Sequence, residues 1–107
     1  IVVWHYHDDG VPGPDAAVEL TIKGLSSSTH DVRVTHYRID DEHSNAYTAW
    51  RKLGSPQEPS MDERAALEKA SELTKLDEHQ KVESHDGTLA LRVTMPRQSV
   101  SLLRLEW

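Results

Sequence analysis

Regular alternation of apolar and polar residues is the feature that most constrains the fold of this sequence. From Ala17 to Leu25, apolar side chains alternate with Glu19, Thr21 and Lys23, and a second alternation runs from Leu89 to Met95. Because successive side chains of a β-strand point to opposite faces, a period of two places one face on a core and the other in water. This pattern is typical of antiparallel sheets, whereas strands of parallel sheets read as continuous apolar runs.

Other segments extend the β prediction along the chain. Four more strands are predicted: from Ile1 to His7, from Val32 to Ile39, from Lys81 to Ser84, and from Val100 to Trp107. The dipeptide Asp86-Gly87 is typical of a two-residue β-hairpin. In the third predicted strand the apolar positions change parity at His36-Tyr37, which favours either a β-bulge or a strand end buried on both faces.

Two short helices are predicted between the third and fourth strands. Ser44 or Asn45 can cap the first helix, which ends before Gly54. Ser60 and Glu63 form a capping-box sequence at the start of the second. We expect the second helix to cover a sheet with an apolar stripe of Ala66, Leu67, Ala70, Leu73 and Leu76. The predicted fold is therefore mainly β, an antiparallel sandwich of about six short strands with an inserted pair of helices.

Composition limits the classes of function. A chain of 107 residues forms one domain, here residues 1–107. The formal net charge of −6 argues against a nucleic-acid partner, and no apolar run is long enough to predict a membrane partner. The sequence has no cysteine, which fits a cytoplasmic location. Both ends lie in strand-like runs, so we expect a fragment of a longer protein.

The stretch from His36 to Gln57 is unusually rich in His, Asp and aromatic residues. This stretch, together with the segments from Val3 to Asp9 and from Ser101 to Trp107, resembles the C-terminal region of β-xylosidases of glycoside hydrolase family 39. The matching elements occur in the same order along nearly the whole chain. α-L-Iduronidases of the same family carry a weaker version of the pattern.

The resemblance implies a parent enzyme with a catalytic (β/α)₈ barrel and an attached β-sandwich. Its activity would be retaining hydrolysis of terminal β-1,4-xylosyl residues by two glutamates on the barrel, a xylan 1,4-β-xylosidase activity without a cofactor. A barrel needs roughly 250 residues, so this chain corresponds to the accessory sandwich and contains no catalytic residue. In the family a strand that precedes the barrel joins the sandwich. Its absence here predicts an open sheet edge, self-association and reduced stability.

The resemblance also suggests how the accessory domain acts. We expect a surface that docks on the barrel, formed by Tyr37, Arg38, Asp40, His43, Asn45 and Tyr47. A cluster in this segment could instead perform acid–base catalysis, which would make the chain an enzyme in its own right; its members are His36, Arg38, Asp40, Asp41, Glu42 and His43. Catalysis is disfavoured because the sequence offers no nucleophile beside them.

Two further alternatives concern the aromatic residues and the first strand. Exposed aromatic rings stack on sugars, so Trp4, Tyr6 and Trp50 could form a carbohydrate-binding module for xylan or xylo-oligosaccharides. The competing interpretation is that they fill the core, since the sequence lacks phenylalanine. His5 and His7 lie on one face of a strand and could bind zinc with Asp8, but a complete ligand set is not visible and we expect no metal.

Overall fold

The computed structural model describes residues 1–107, and it describes every side chain except those of residues 77–79. Six strands and two helices follow one another along the chain. They are β1 (Val2–His5), β2 (Ala16–Lys23), β3 (Asp31–Ile39), α1 (Ala46–Lys52), α2 (Met61–Ser71), β4 (Thr74–Glu83), β5 (Thr88–Met95) and β6 (Ser99–Glu106). The prediction of a mainly β fold with two inserted helices is confirmed.

The strands form two antiparallel sheets that face each other. The larger sheet has the order β1-β6-β3-β4, and the smaller one contains only β2 and β5. The buried apolar side chains between them are Val32, Val34, Leu89, Val93, Met95 and Leu103. The alternation in β2 and β5 places their apolar residues on this core, as the sequence predicts.

The turn at Asp86-Gly87 forms, but it does not close a hairpin. Both residues have positive φ, 49° and 70°, and His85 and Thr88 exchange two backbone hydrogen bonds of 2.9 Å. Beyond this turn β4 pairs with β3 while β5 pairs with β2, so the two strands enter different sheets. The local turn was predictable from the dipeptide, whereas the partners of the flanking strands depend on distant residues.

The end of the second helix and the start of the fourth strand differ from the prediction. The capping box at Ser60 and Glu63 is present, but α2 ends at Ser71 and β4 begins at Thr74. None of the α2 residues is buried, and the helix packs against α1 rather than over a sheet. Pairing with β3 draws the polar segment after Leu73 into a strand, which is a tertiary preference stronger than local propensity.

The predicted irregularity near His36 is confirmed, although its extra residues lie on β4. Between the pairs Val34–Gln80 and Arg38–Thr74, β3 advances by four residues (38 − 34) and β4 by six (80 − 74). Against β6, by contrast, β3 keeps one register from Arg33 to Ile39. The β3 strand itself is therefore regular, and Arg38 takes the inner position that follows Val34 and His36.

The domain is extended for its length. Its radius of gyration is 17.4 Å, compared with about 13 Å for a compact chain of roughly 100 residues. The helices α1 and α2 contact each other more than they contact the sheets, which accounts for part of this extension. Among the residues that the structure describes, no helix has the length and apolar character needed to cross a membrane.

Candidate functional site

Arg38 is the centre of a buried polar network at one end of the sandwich. Its side chain is 4% exposed and lies between the two sheets. Its Nε donates to Ser101 Oγ at 3.0 Å, and its Nη2 donates to the Thr94 carbonyl at 2.8 Å. Its Nη1 lies 3.5 Å from Asp40 Oδ2. The guanidinium thus joins β3 to both β5 and β6.

Asp40 orders the turn that follows β3. Its Oδ1 accepts the backbone N–H groups of Glu42 at 2.9 Å and His43 at 2.8 Å, and it contacts His43 Nδ1 at 2.8 Å. Burial raises the pKa of Asp40, but the hydrogen bonds from Glu42 and His43 and the charge of His43 outweigh it and lower the pKa overall. Asp40 is therefore an ionised structural acceptor at neutral pH.

Asn45 and Ser44 connect this turn to the helices. Asn45 caps α1 by accepting the N–H of Thr48 at 3.1 Å, and its Nδ2 donates to the Asp40 carbonyl at 2.9 Å. Ser44 Oγ donates to the Arg38 carbonyl at 2.7 Å and accepts the N–H of Thr74 at 2.8 Å. These bonds fix where the helix pair leaves the sheet and where β4 returns to it.

Four of the six predicted docking residues therefore meet in one network: Arg38, Asp40, His43 and Asn45. Tyr37 lies on the opposite face of β3. Tyr47 is exposed on α1, where its ring stacks on Trp50 with centroids 5.8 Å apart. Arg38 and Asp40 contact residues of this domain, and contact with a barrel remains a prediction.

Ser101 is the network residue that the sequence analysis missed. It is fully buried and contacts both His36 Nε2, at 2.8 Å, and Arg38. The available signal was alternation: Ser99 and Ser101 share a strand face with the buried Leu103. Buried hydroxyls on an inner face indicate a polar partner inside the sandwich.

His5 and His7 contact each other through their ring nitrogens. The two Nε2 atoms are 2.8 Å apart, and His5 Nδ1 lies 2.9 Å from the Met95 carbonyl. Because that carbonyl can only accept, neutral His5 carries its proton on Nδ1, and His7 donates from Nε2. Among the described residues, no three His, Asp or Glu side chains gather at metal-ligand spacing.

The three candidate sugar-binding aromatic residues have different environments. Trp4 and Tyr6 are each 68% exposed; Trp4 lies on β1, and Tyr6 follows the end of that strand at His5. Trp50 is half-buried, donates from Nε1 to the Pro56 carbonyl at 3.0 Å and stacks on Tyr47. Of the three, Trp4 and Tyr6 are the most open to a ligand, and sugar binding by any of them remains a prediction.

A groove follows the edge of β5 that faces away from β2. Its volume is about 240 Å³. The walls and floor are formed by Val34, His36, Arg38, Leu76, Gln80, Leu91, Arg92, Val93, Thr94 and Leu103. Four consecutive residues of β5 contribute, so the groove runs along the strand edge rather than over one face. This volume is smaller than the roughly 300–1,000 Å³ of typical small-molecule sites.

Comparison with known proteins identifies the family. Residues 1–88 match the family described as glycosyl hydrolases family 39. This chain belongs to glycosyl hydrolase family 39. The resemblance seen in the sequence is thereby confirmed.

Three solved structures share the fold of this chain. A family 39 enzyme from Xanthomonas axonopodis pv. citri superposes with a TM-score of 0.78 at 17% identity. A monomeric β-xylosidase from Caulobacter crescentus CB15 gives 0.69 at 19% identity. The bacterial orthologue of human α-L-iduronidase gives 0.65 at 22% identity, over 91% of this chain and 18% of its own. The first two matches cover 98% of this chain but only 23% of each enzyme.

Proposed function

We propose that this chain is the non-catalytic accessory β-sandwich of a family 39 β-xylosidase, where it supports the catalytic barrel. The observation that carries the proposal is the extent of the match: the sandwich accounts for nearly all of this chain and for about a quarter of the enzymes. The parent would release terminal β-1,4-xylosyl residues from xylo-oligosaccharides by the retaining mechanism.

The carboxylates of the described residues support a non-catalytic role. A retaining glycosidase needs two carboxyl groups about 5–5.5 Å apart, one of which stays protonated to act as an acid. Asp40 is the buried carboxylate of the described part of the chain, and its pKa is lowered rather than raised. Its oxygen atoms already serve the backbone of the turn and Arg38. Such a group stabilises structure and makes a poor general acid.

The free edge of β5 supports the proposal that the isolated domain self-associates. The backbone of Thr88 bonds to His85, and the Thr94 carbonyl accepts from Arg38, so both point away from β2. Backbone groups alternate sides along a strand, and Ala90 and Arg92 therefore direct theirs to the same edge. A parent segment that covered this edge would stabilise the domain. The Caulobacter enzyme is a monomer, which supports coverage within one polypeptide.

The exposure of Trp4 and Tyr6 favours one second candidate, a carbohydrate-binding module for xylan or xylo-oligosaccharides. The two rings are separated by one residue in the sequence, but Tyr6 follows the end of β1 at His5, so strand geometry does not align it with Trp4. The aliphatic neighbours Val2 and Val100 weigh against it, because they offer a sugar no hydrogen bonds.

Two assays on the purified chain test these functions. We expect no hydrolysis of an aryl β-xyloside, and measurable turnover that survives repurification would contradict the accessory role. We also expect tryptophan fluorescence to stay flat when xylotriose is added to millimolar concentration. A saturable change that is lost in Trp4→Ala but kept in Trp50→Ala would establish the binding module instead.

A further inference from the structure

One end of the larger sheet has its polarity inverted. On β6 the inner residues Ser99 and Ser101 are buried at 1% and 0% exposure, and Arg38 occupies the neighbouring inner position on β3. The outer residues between them are apolar. A sheet with one solvated face normally has the opposite arrangement, with apolar residues inside and polar residues outside.

The apolar residues of the outer face lie in two adjacent rows across three strands. The cross-strand pairings give the rows Trp4–Val100–Ile39 and Val2–Leu102–Tyr37. The exposed fractions of Trp4, Val2 and Ile39 are 68%, 54% and 44%. We call these six residues the outer apolar face. The two rows are adjacent, so the face is contiguous. None of its residues is charged, which makes the face unsuited to permanent contact with water.

The chemistry of this face selects a protein partner. Its members are four aliphatic side chains and two aromatic ones, and their hydrogen-bonding groups are limited to the Trp4 indole N–H and the Tyr37 hydroxyl, fewer than a sugar needs. A sheet buried on both faces is the middle layer of a three-layer arrangement. The partner must therefore supply a third layer with an apolar surface of its own.

We infer that the outer apolar face is the surface on which this domain packs against the catalytic barrel of its parent. The inference rests on the proposed function, and it moves the docking surface away from the Arg38–Asp40 network. The network lies directly behind the face and has a different part: it fills the inner side of the same sheet end, holding β3 and β6 in register. The enzymes that share this fold have more than three-quarters of their length outside the matched region.

Cysteine labelling tests the inference, because the chain contains no cysteine of its own. Val100→Cys and Ile39→Cys place thiols on the outer apolar face. Thr21→Cys, on the exposed side of β2, is the matched control. Each variant is made in the 107-residue chain and in the full-length enzyme, and maleimide modification of the peptide that contains the new cysteine is followed by mass spectrometry.

In the isolated chain we expect all three thiols to react at similar rates. In the full-length enzyme we expect the two face variants to react at least about tenfold more slowly, since burial makes a thiol unreactive. Thr21→Cys should keep its rate. Undiminished labelling of Val100→Cys and Ile39→Cys in the full-length enzyme would overturn the docking face.

Other outcomes identify a different occupant or a deeper failure. Protection that rises with the concentration of the isolated chain, together with a dimer in sedimentation, would show that a second copy covers the face and would overturn the inference. If only xylotriose protects the two thiols from labelling, the face binds a sugar, and the inference is likewise overturned. Xyloside hydrolysis by the isolated chain, or a natural polypeptide without a barrel, would remove the proposed function itself, a result separate from the labelling rates.

Discussion

Replacing Asp40 with asparagine tests whether the buried network holds the sandwich together. The substitution keeps the size of the side chain and an oxygen that can accept the N–H groups of Glu42 and His43. It removes the negative charge opposite Arg38, whose side chain is 4% exposed. Arg38 then keeps its bonds to Ser101 and Thr94 but has no anion within reach in the described structure.

The size of the effect follows from burial and geometry. Removing one member of a buried ion pair costs about 3–5 kcal/mol. The pair here is 3.5 Å apart, longer than an ideal charge-assisted hydrogen bond, and we therefore expect about 2–3 kcal/mol. A domain of this size has a total stability of about 5–15 kcal/mol, so the loss is large. It corresponds to a melting temperature lower by roughly 10–20 °C.

Urea denaturation followed by circular dichroism measures this loss as a lower midpoint with an unchanged slope. Asp41→Asn is the matched control, since Asp41 is exposed, and should stay within about 0.5 kcal/mol of the wild type. Arg38→Met completes a double-mutant cycle, in which we expect a coupling of at least about 1 kcal/mol. Additive effects, or an Asp40→Asn variant as stable as Asp41→Asn, would refute the reasoning.

The pH dependence of the same variant checks the role of charge. Because the pKa of Asp40 is lower in the folded chain than in the unfolded chain, its carboxylate adds stability at pH values above its unfolded pKa, about 4. That contribution is lost as the pH falls from there through the folded pKa. The stability difference between wild type and Asp40→Asn should therefore shrink as the pH falls below about 4. A difference that stays constant down to pH 2 would assign the effect to shape instead.

Three other outcomes are expected of the isolated chain. Gly87→Ala should cost roughly 1–3 kcal/mol in urea denaturation, because φ is +70° and a Cβ would lie 2.5 Å from the Leu25 carbonyl oxygen; Gly10→Ala, with nothing within 4 Å, should be neutral. Asn45→Ala should lower stability by about 1–2 kcal/mol through loss of the α1 cap, and a neutral result would mean that the cap is replaced. Sedimentation at high concentration should show a dimer that Ala90→Lys weakens by charging the β5 edge; a strict monomer would contradict the open-edge proposal.

The sequence predicted correctly those elements that depend on residues close together in the chain. Alternation identified β2 and β5, and capping residues identified the starts of both helices. The errors occurred where distant contacts decide the structure. The residues after Leu73 are too polar to read as a strand, and they become one because β3 offers them a partner. Asp86-Gly87 specifies a turn, but it carries no information about which sheet each flanking strand will join.

The polar network could be located from sequence but not assembled. The segment after His36, rich in His, Asp and aromatic residues, indicated Arg38 and Asp40 as site residues. Both lie close to Asn45 because only a short turn separates them. The partners that bury Arg38, however, are Thr94 and Ser101, separated from it by 56 and 63 residues. No periodicity links positions so far apart. The resemblance to the family predicted a docking surface in this segment. In the structure the side chains of Arg38 and Asp40 are buried.

The inverted polarity at one end of β6 leaves apolar residues on both faces of this strand. Near Leu103 and Leu105 the inner face is apolar and meets the core of the sandwich. Near Ser99 and Ser101 the inner face is polar, and the apolar residues Val100 and Leu102 lie outside. At its Leu103 end β6 has its apolar inner face covered by β2 and β5. At its Ser99 end the apolar residues lie on the outer face, which no strand of the described structure covers. The isolated chain lacks that cover, so its outer apolar face stays in water, and packing a barrel against that face would add to the stability that six buried apolar side chains provide.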